Sequence, residues 1–306
     1  MKTIAITGVL GYSGRYVAQE ARRRGWRVVG LTDSGHRLPN PEGWELRPMP
    51  WSTRDAVLDG VDVLVNTYWV RFSYAGGRKA AFSHEEAVNN TGKLFEAAQR
   101  SGVQRIIHTS ITCPDAASPL PYFRGKAELE HALAATGIPH SILRPAVLFG
   151  DSPSESILIN NMAWSLRHLP AVATFGWGSY RLRPLHVQDF ADAAMDEAEQ
   201  EAPRRIIQAI GQESYSFREL WRLLARAMGI RRPILPLPAG IGYAGTCILG
   251  RLMGDIMLTR DEIRGLSEDR LYAPGSGIGS RLLNRWVQQH AGTLGNTYES
   301  ELARRR

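Results

Sequence analysis

Cysteine is scarce in this sequence of 306 residues. Cys113 and Cys247 are its two cysteines, and they stand far apart in the chain. Neither has the spacing of a metal-ligand pair or of a disulfide framework, so we expect no structural metal and a reducing compartment. The first strand is predicted to begin almost directly after Met1, which leaves no room for the regions of a signal peptide. The sequence therefore favours a cytoplasmic protein.

The sequence also lacks internal repeats, low-complexity tails and any basic stripe interleaved with aromatic residues. Its formal net charge is +7, yet the basic residues are spread in short clusters, and 43% of the residues are hydrophobic. These values are typical of a globular chain, and nothing in the charge pattern indicates nucleic-acid binding.

No apolar run is long enough, without interruption, to be assigned as a membrane span. The stretch 235–258 comes nearest, but Pro236, Pro238, Arg251 and Asp255 interrupt it. Such interruptions favour a half-buried helix. The alternative is a helix that lies on a membrane surface or contacts a protein partner, with Arg251 at its polar edge.

Short apolar segments alternate with helical segments through the first half of the chain. Strands are predicted over 3–8, 27–32, 61–69, 105–111, 140–150 and 204–211, and helices over 14–24, 84–101, 122–136, 187–200 and 216–229. Parallel strands need crossover helices, so this order predicts an α/β fold with a doubly wound parallel sheet of the Rossmann type. We place this domain at 1–150, with the helix at 187–200 returning to it. A smaller C-terminal α/β substrate domain is expected at 151–306.

The segment TGVLGYSG places Gly8, Gly11 and Gly14 between the first predicted strand and the first predicted helix. Small residues there let the backbone approach a pyrophosphate, whose charge then meets the positive end of the helix. Tyr12 and Ser13 belong to the same loop and are expected to contact the cofactor. The loop therefore predicts a site for NAD or NADP.

The residues after the second predicted strand bear on which dinucleotide is bound. Asp33 follows this strand nineteen residues after the last glycine of the loop. A carboxylate there accepts hydrogen bonds from ribose hydroxyls and repels a 2′-phosphate, so NAD is favoured over NADP. Arg37 follows closely and could hold that phosphate instead, which keeps NADP open. Asn66, in the predicted strand 61–69, is also expected to face the cofactor.

Tyr122 and Lys126 in YFRGKAELE are spaced so that a helix places both on one face. A nearby ammonium group stabilises a phenolate and lowers the tyrosine pKa toward the range of proton exchange with a substrate oxygen. The pair follows the strand 105–111, beside the expected position of a nicotinamide. We therefore assign both residues as catalytic candidates.

Four motifs in the same order, TGVLGYSGRYV, YFRGKAELE, ILRPAVLFG and PLHVQDFADA, resemble the short-chain dehydrogenase/reductase superfamily in its extended or atypical branch. The resemblance covers residues 3–228. It implies that Tyr122 donates or accepts a proton, that Lys126 also contacts the nicotinamide ribose, and that Pro145 in the third motif belongs to the cofactor site.

The resemblance also implies a Ser or Thr that steadies the substrate oxygen, and the candidates are Ser110 and Thr112 in HTSITCP. The position that aligns with the catalytic serine of extended members reads Ile111. In addition, Ser110 lies only twelve residues before Tyr122, closer than in typical active members.

A second resemblance concerns the segment LPLPAGIGYAGTCILGRLMGDIMLTRDEIRGLSEDRL, which looks like the tail of the accessory NAD(P)-binding subunits of respiratory complex I and their bacterial relatives. The predicted function is an NAD(P)-dependent oxidoreductase or epimerase that acts on a small organic substrate. The alternative is a non-catalytic NAD(P)-binding protein that senses redox state or supports a larger, membrane-associated complex. Three features support the alternative: Ile111 at the expected serine position, the tail that resembles complex I subunits, and the apolar stretch 235–258, which is expected to dock on a partner.

Overall fold

The computed structural model describes residues 1–33, 39–51, 56–76 and 79–303. They fall into two compact units: unit 1 comprises Met1–Pro145 and Gln188–Ala209, and unit 2 comprises Ala146–Val187 and Ile210–Arg306. The elements are, in chain order, β1 (Thr3–Thr7), α1 (Tyr12–Arg23), β2 (Arg27–Leu31), β3 (Glu45–Arg47), β4 (Val63–Asn66), β5 (Tyr74–Gly76), β6 (Lys79–Phe82), α2 (His84–Arg100), β7 (Arg105–Thr109), α3 (Pro121–Ala135), β8 (His140–Leu143), β9 (Leu148–Phe149), a 3-10 turn (Pro153–Glu155), α4 (Ile157–His168), β10 (Val172–Phe175), β11 (Arg181–Leu182), β12 (Leu185–His186), α5 (Val187–Ala198), β13 (Arg204–Ile207), β14 (Tyr215–Ser216), α6 (Phe217–Ala227), β15 (Ile234–Leu237), α7 (Ala239–Met253), α8 (Arg260–Ser267) and α9 (Leu283–His290).

A seven-stranded sheet in the order β13-β8-β7-β4-β1-β2-β3 forms the centre of unit 1. All of its pairings are parallel. The chain winds outward from β1 to β3 and then continues on the other side of β1 from β4, so the winding direction reverses between β1 and β4. Ligands of doubly wound sheets bind at the carboxyl ends of the strands at this reversal. The predicted fold class is confirmed.

The strand predicted over 140–150 is instead two strands, β8 in unit 1 and β9 in unit 2. Pro145 lies between them, and a proline cannot donate a hydrogen bond to a sheet. The strand predicted over 204–211 forms as β13 and pairs with β8 at the edge of the central sheet. The sequence analysis did not predict strand β3, because its three residues, none of them buried, are too few to show an alternation of apolar and polar side chains.

Unit 2 has its own apolar core. Helix α6 contributes Phe217, Leu220, Trp221 and Leu224, spaced three or four residues apart, and Ser216 with Glu219 forms a capping box at its start. These side chains pack with residues of β9, α4 and α9. Because this core is separate from that of the central sheet, unit 2 has the character of a second domain.

The predicted apolar helix in 235–258 is α7, preceded by strand β15. Among the described residues, no helix combines the length and the apolar character that a membrane crossing requires.

Replacing Arg183 by lysine is expected to destabilise the fold by about 3 kcal/mol. Arg183 is 7% exposed, and its guanidinium donates to the carbonyls of Gly211 and Gln212 and of Ala273 and Gly275 at 2.6 to 3.4 Å. The single ammonium group of a lysine at this position cannot reach all four carbonyl oxygens. Urea unfolding measures the effect, with Arg222→Lys on the exposed face of α6 as the control; equal stability of both variants would contradict this role for Arg183.

Candidate functional site

The glycine loop joins β1 to α1 in a turn that leaves little room for side chains. Gly8 has a φ of 66°, a left-handed conformation that glycine adopts without strain, and its carbonyl accepts a hydrogen bond from Gly11 N at 2.8 Å. A Cβ atom at Gly14 would lie 2.3 Å from the Gly8 carbonyl oxygen, far inside van der Waals contact. Glycine at these positions therefore lets the loop backbone pack directly against the start of α1.

The N-terminus of α1 is suited to an anion. The helix begins at Tyr12, with Ser13 in its first turn, and no side chain of the described residues caps it. Its first turn contains no acidic residue. The backbone N–H groups of Ser13 and Gly14 are thus available to a ligand, and the helix dipole favours a negative one. A pyrophosphate fits both this helix end and the close-packed loop before it.

Asp33 stands just after β2, at the same edge of the sheet as the glycine loop. The residue is exposed, and one carboxylate oxygen accepts a hydrogen bond from Met49 N at 2.9 Å. This bond orients the carboxylate at the carboxyl end of β2. Arg37, the other residue expected to influence the choice of dinucleotide, lies outside the described residues.

Asn66 ends β4 and is fully buried. Its side-chain oxygen accepts hydrogen bonds from Thr7 Oγ1 at 2.9 Å and from Tyr68 N at 3.0 Å, and its amide nitrogen lies 3.1 Å from His108 Nδ1. Because the amide nitrogen donates, His108 carries its proton on Nε2, and burial holds the pKa of His108 well below its usual value. Asn66 thus links β1, β4 and β7, and its side chain has no exposed surface.

Ser110 and Thr112 follow β7 and are both buried, at 2% and 0% exposure. Ser110 Oγ donates to Glu130 Oε1 at 2.5 Å, and Arg144 holds the same carboxylate through two hydrogen bonds. Thr112 N donates to the carbonyl of Pro145 at 3.0 Å. The structure therefore places Ser110 in a buried polar network and sets Thr112 beside Pro145.

Lys126 is 1% exposed and lies beneath an aromatic ring. Its Nζ donates to the Thr109 carbonyl at 2.7 Å and lies 4.2 Å from the centre of the Trp69 indole. Burial lowers the pKa of Lys126 to about 7, and the carboxylate of Glu130 partly opposes this shift. A lysine with a pKa near neutrality can hold or release a proton under physiological conditions.

Tyr122 stands one helical turn before Lys126 on α3 and is partly exposed. Its ring meets Trp69 edge-on, with ring centres 5.4 Å apart, and His84 in the same manner at 5.5 Å. Trp69 and His84 stack on each other at 5.7 Å. The three rings contact one another, and that of Trp69 lies over Lys126; we call the group the aromatic cap (Trp69, His84, Tyr122).

The sequence prediction missed Trp69, His84 and Glu130. Trp69 could have been found from its position after β4, where the carboxyl ends of the central strands bind ligands. Glu130 could have been found from its place one turn after Lys126 on the same helix face. No sequence signal connects His84 to Tyr122, because the contact joins the starts of two separate helices.

Lys126→Met is expected to change how stability depends on pH. The ordinary lysine pKa is about 10.4, whereas the folded protein holds the pKa of Lys126 at about 7. Between these values the unfolded chain binds a proton that the folded chain does not, so the wild type gains stability as pH rises through this window. Methionine binds no proton, so the variant lacks this gain.

Urea unfolding at pH 7, 8.5 and 10 measures this difference. The unfolding free energy of the wild type relative to that of Lys126→Met should rise with pH, whereas Lys93→Met, at an exposed position of α2, should follow the wild type. A wild-type advantage that is constant across the window would show that Lys126 keeps its ordinary pKa.

Comparison with known proteins identifies a family model and several proteins that are similar to this chain. Residues 4–208 match the model of the NAD dependent epimerase/dehydratase family. The chain is 25% identical over 200 residues to NADH dehydrogenase (ubiquinone) 1 alpha subcomplex subunit 9 of Arabidopsis thaliana, covering 61% of this chain and 48% of that protein. It therefore spans about half the length of this curated relative. The similarity agrees with the resemblance to complex I subunits drawn from the sequence.

Two further proteins are similar over more of the chain. Ceramide reductase of Caulobacter vibrioides is 25% identical over 251 residues, which are 80% of this chain and 77% of that one. Among solved structures, NADPH-dependent quinone oxidoreductase QOR2 of Escherichia coli, complexed with NADPH, superposes with a TM-score of 0.69 at 20% identity, covering 96% of this chain and 100% of that one. At this identity the structural match establishes the shared fold.

Proposed function

Because the chain belongs to the NAD dependent epimerase/dehydratase family, we propose that it is a nicotinamide-dependent oxidoreductase or epimerase that acts on a small organic substrate. One observation carries the proposal: the same unit holds a glycine loop open to a pyrophosphate and a buried Lys126 one helical turn from Tyr122. The names of the reductases similar to the chain support it.

The residues of the site have separable roles in this function. A bound nicotinamide supplies or accepts a hydride. Tyr122 exchanges a proton with the substrate oxygen, and Lys126 favours the phenolate through its positive charge. The aromatic cap keeps water from Lys126, which strengthens the interaction of its ammonium group with nearby charges. Ser110 and Thr112 remain the two hydroxyl candidates; both are buried, and the Ser110 hydroxyl donates to Glu130.

We propose NAD over NADP as the preferred cofactor, because the carboxylate of Asp33 stands at the carboxyl end of β2. We expect calorimetric titration to give tighter binding of NADH than of NADPH, and Asp33→Ser to reduce the difference, since serine does not repel a 2′-phosphate. Equal affinities in the wild type would overturn the preference, and no binding of either would overturn the cofactor site.

A second function, docking on a membrane surface, is favoured by the exposed face of α7. Ile241, Ile248 and Leu252 are 61%, 65% and 78% exposed, and their spacing places them on one side of the helix. Residues 220–254 contain five arginines and no acidic residue. An apolar face within a basic segment suits an anionic lipid surface. We propose a cytoplasmic protein that binds such a membrane peripherally through unit 2.

Ile248→Ser combined with Leu252→Ser is expected to lower binding to vesicles that contain anionic phospholipid by about tenfold, because two apolar side chains no longer enter the lipid. Co-sedimentation measures the effect, and Ile206→Ser, an exposed isoleucine of β13, serves as the control. If the wild type stays in the supernatant with anionic vesicles, the docking proposal is wrong and the dinucleotide site is unaffected.

A further inference from the structure

Helix α3 carries Tyr122, Lys126 and Glu130 at intervals of one helical turn, so the three residues lie on one face of the helix. The proposed chemistry uses Tyr122 and Lys126 and gives no task to Glu130. Glu130 is 8% exposed, and a buried carboxylate costs free energy unless its partners compensate it. Replacing a buried ion pair by apolar residues is often neutral or stabilising, so stability alone does not explain this charge.

The carboxylate of Glu130 is held by residues at the ends of two neighbouring strands. Ser110 Oγ, directly after β7, donates to Glu130 Oε1 at 2.5 Å, and Arg144 Nε, directly after β8, donates to the same oxygen at 2.9 Å. A second guanidinium N–H of Arg144 donates to Oε2. Ser110 N also donates to the carbonyl of Leu143 at 2.7 Å, which joins the two strand ends. Both carboxylate oxygens are therefore engaged, and the charge has a fixed position.

Lys126 is bound at the same strand end. Its Nζ donates to the carbonyl of Thr109, the residue before Ser110, at 2.7 Å. Consecutive residues at the end of β7 thus bind side chains from consecutive turns of α3. Burial lowers the pKa of Lys126 to about 7, and the attraction of the Glu130 carboxylate opposes this lowering. Because both residues are buried, little water screens the attraction.

The other titratable or charged groups around Lys126 do not supply a negative charge to it. They are His84 of α2, His108 of β7, His140 of β8, Arg144 after β8 and Tyr122 of α3. An imidazole is neutral or positive, a guanidinium is positive, and a tyrosine is neutral until it loses its proton. Burial also holds the pKa of His108 well below its usual value, so this imidazole is uncharged. Within this set of groups, Glu130 is the one that favours the charged form of Lys126.

We propose that Glu130 is a positioning residue whose fixed carboxylate keeps the buried ammonium group of Lys126 charged. The inference rests on the proposed function, in which this ammonium group favours the phenolate of Tyr122. Without the carboxylate, burial beneath Trp69 would leave Lys126 largely neutral at physiological pH. The phenolate would then lose the positive charge that stabilises it.

The sequence contains four lysines, Lys2, Lys79, Lys93 and Lys126, so NMR of the whole protein labelled with carbon-13 at lysine Cε tests the proposal directly. Each signal reports the protonation of its own ammonium group, and loss of one signal in Lys126→Met identifies that of Lys126. The wild-type signal should titrate near pH 7, and that of Glu130→Gln about one pH unit lower. Glu128→Gln removes an exposed carboxylate of the same helix and should leave the titration unchanged.

Arg144→Gln tests the same charge with the opposite sign. Loss of the guanidinium leaves the Glu130 carboxylate less neutralised, so Lys126 should titrate at a higher pH than in the wild type. A general loosening of α3 would admit water to Lys126 and move both variants toward the ordinary lysine pKa. An unchanged or higher titration in Glu130→Gln, or an unchanged or lower one in Arg144→Gln, would overturn the proposal.

These titrations need neither cofactor nor substrate, so they stand apart from the test of the proposed function. With an identified substrate, the pH above which kcat declines should move down in Glu130→Gln by the same amount as the titration of Lys126. A shifted titration with an unmoved kcat profile would contradict the role of Lys126 in the proposed function and leave the effect of Glu130 on its charge intact.

Discussion

Gly14→Ala is expected to weaken dinucleotide binding by about a hundredfold or more and to destabilise the fold by about 2 kcal/mol. The new Cβ atom would lie 2.3 Å from the Gly8 carbonyl oxygen and 3.0 Å from that of Thr7. Both contacts are with backbone, so no side-chain rotation relieves them. Helix α1 must move away from β1, and its N-terminal N–H groups move with it.

Gly92→Ala is the matched control, because an added Cβ on this glycine of α2 would meet no described atom within 4 Å. Alanine in a helix interior is more stable than glycine by about 0.5–1 kcal/mol, so this variant should bind NADH normally and unfold at slightly higher urea concentration. If Gly14→Ala binds NADH as tightly as Gly92→Ala does, the glycine loop is not the cofactor site.

Tyr122→Phe is expected to lower kcat by about 10²–10⁴ and to leave the affinity for NADH unchanged. Phenylalanine keeps the ring that packs against Trp69 and His84 and removes only the hydroxyl that exchanges the proton. The assay follows oxidation of NADH or NADPH with a panel of quinones and ketones, together with epimerisation of sugar substrates.

Tyr272→Phe, in unit 2, is the control: it removes a phenolic hydroxyl outside the proposed site and should leave kcat unchanged. A Tyr122→Phe variant with wild-type turnover of an identified substrate would contradict the proposed role of the hydroxyl. A wild type that binds NADH but turns over no substrate in the panel would favour the non-catalytic alternative.

Local features of the site could be predicted from the sequence. The glycine loop depends on a few adjacent residues between a strand and a helix, and the pairing of Tyr122 with Lys126 depends on the period of one helix. The doubly wound parallel sheet followed from the alternation of strands and helices, since parallel strands need crossover connections.

Features that depend on tertiary packing could not be predicted. The sequence shows Asn66 at the end of a strand, but its bonds to Thr7 and His108 arise only when three strands lie side by side. In the same way, nothing near Ser110 in the chain indicates that its hydroxyl donates to Glu130 or that Arg144 binds the same carboxylate. The burial of Lys126 beneath Trp69 likewise requires the close approach of Trp69, in the segment after β4, to α3, which Gly125 permits: a Cβ there would lie 3.1 Å from the Trp69 ring.

A crystal structure of the protein with NADH bound tests the central claim most directly. The account predicts the pyrophosphate at the N-terminus of α1, Lys126 within hydrogen-bond distance of the nicotinamide ribose, and Trp69 displaced far enough to open the space beside the Tyr122 hydroxyl. A complex in which the aromatic cap stays closed over Lys126 and the nicotinamide lies away from Tyr122 would contradict it.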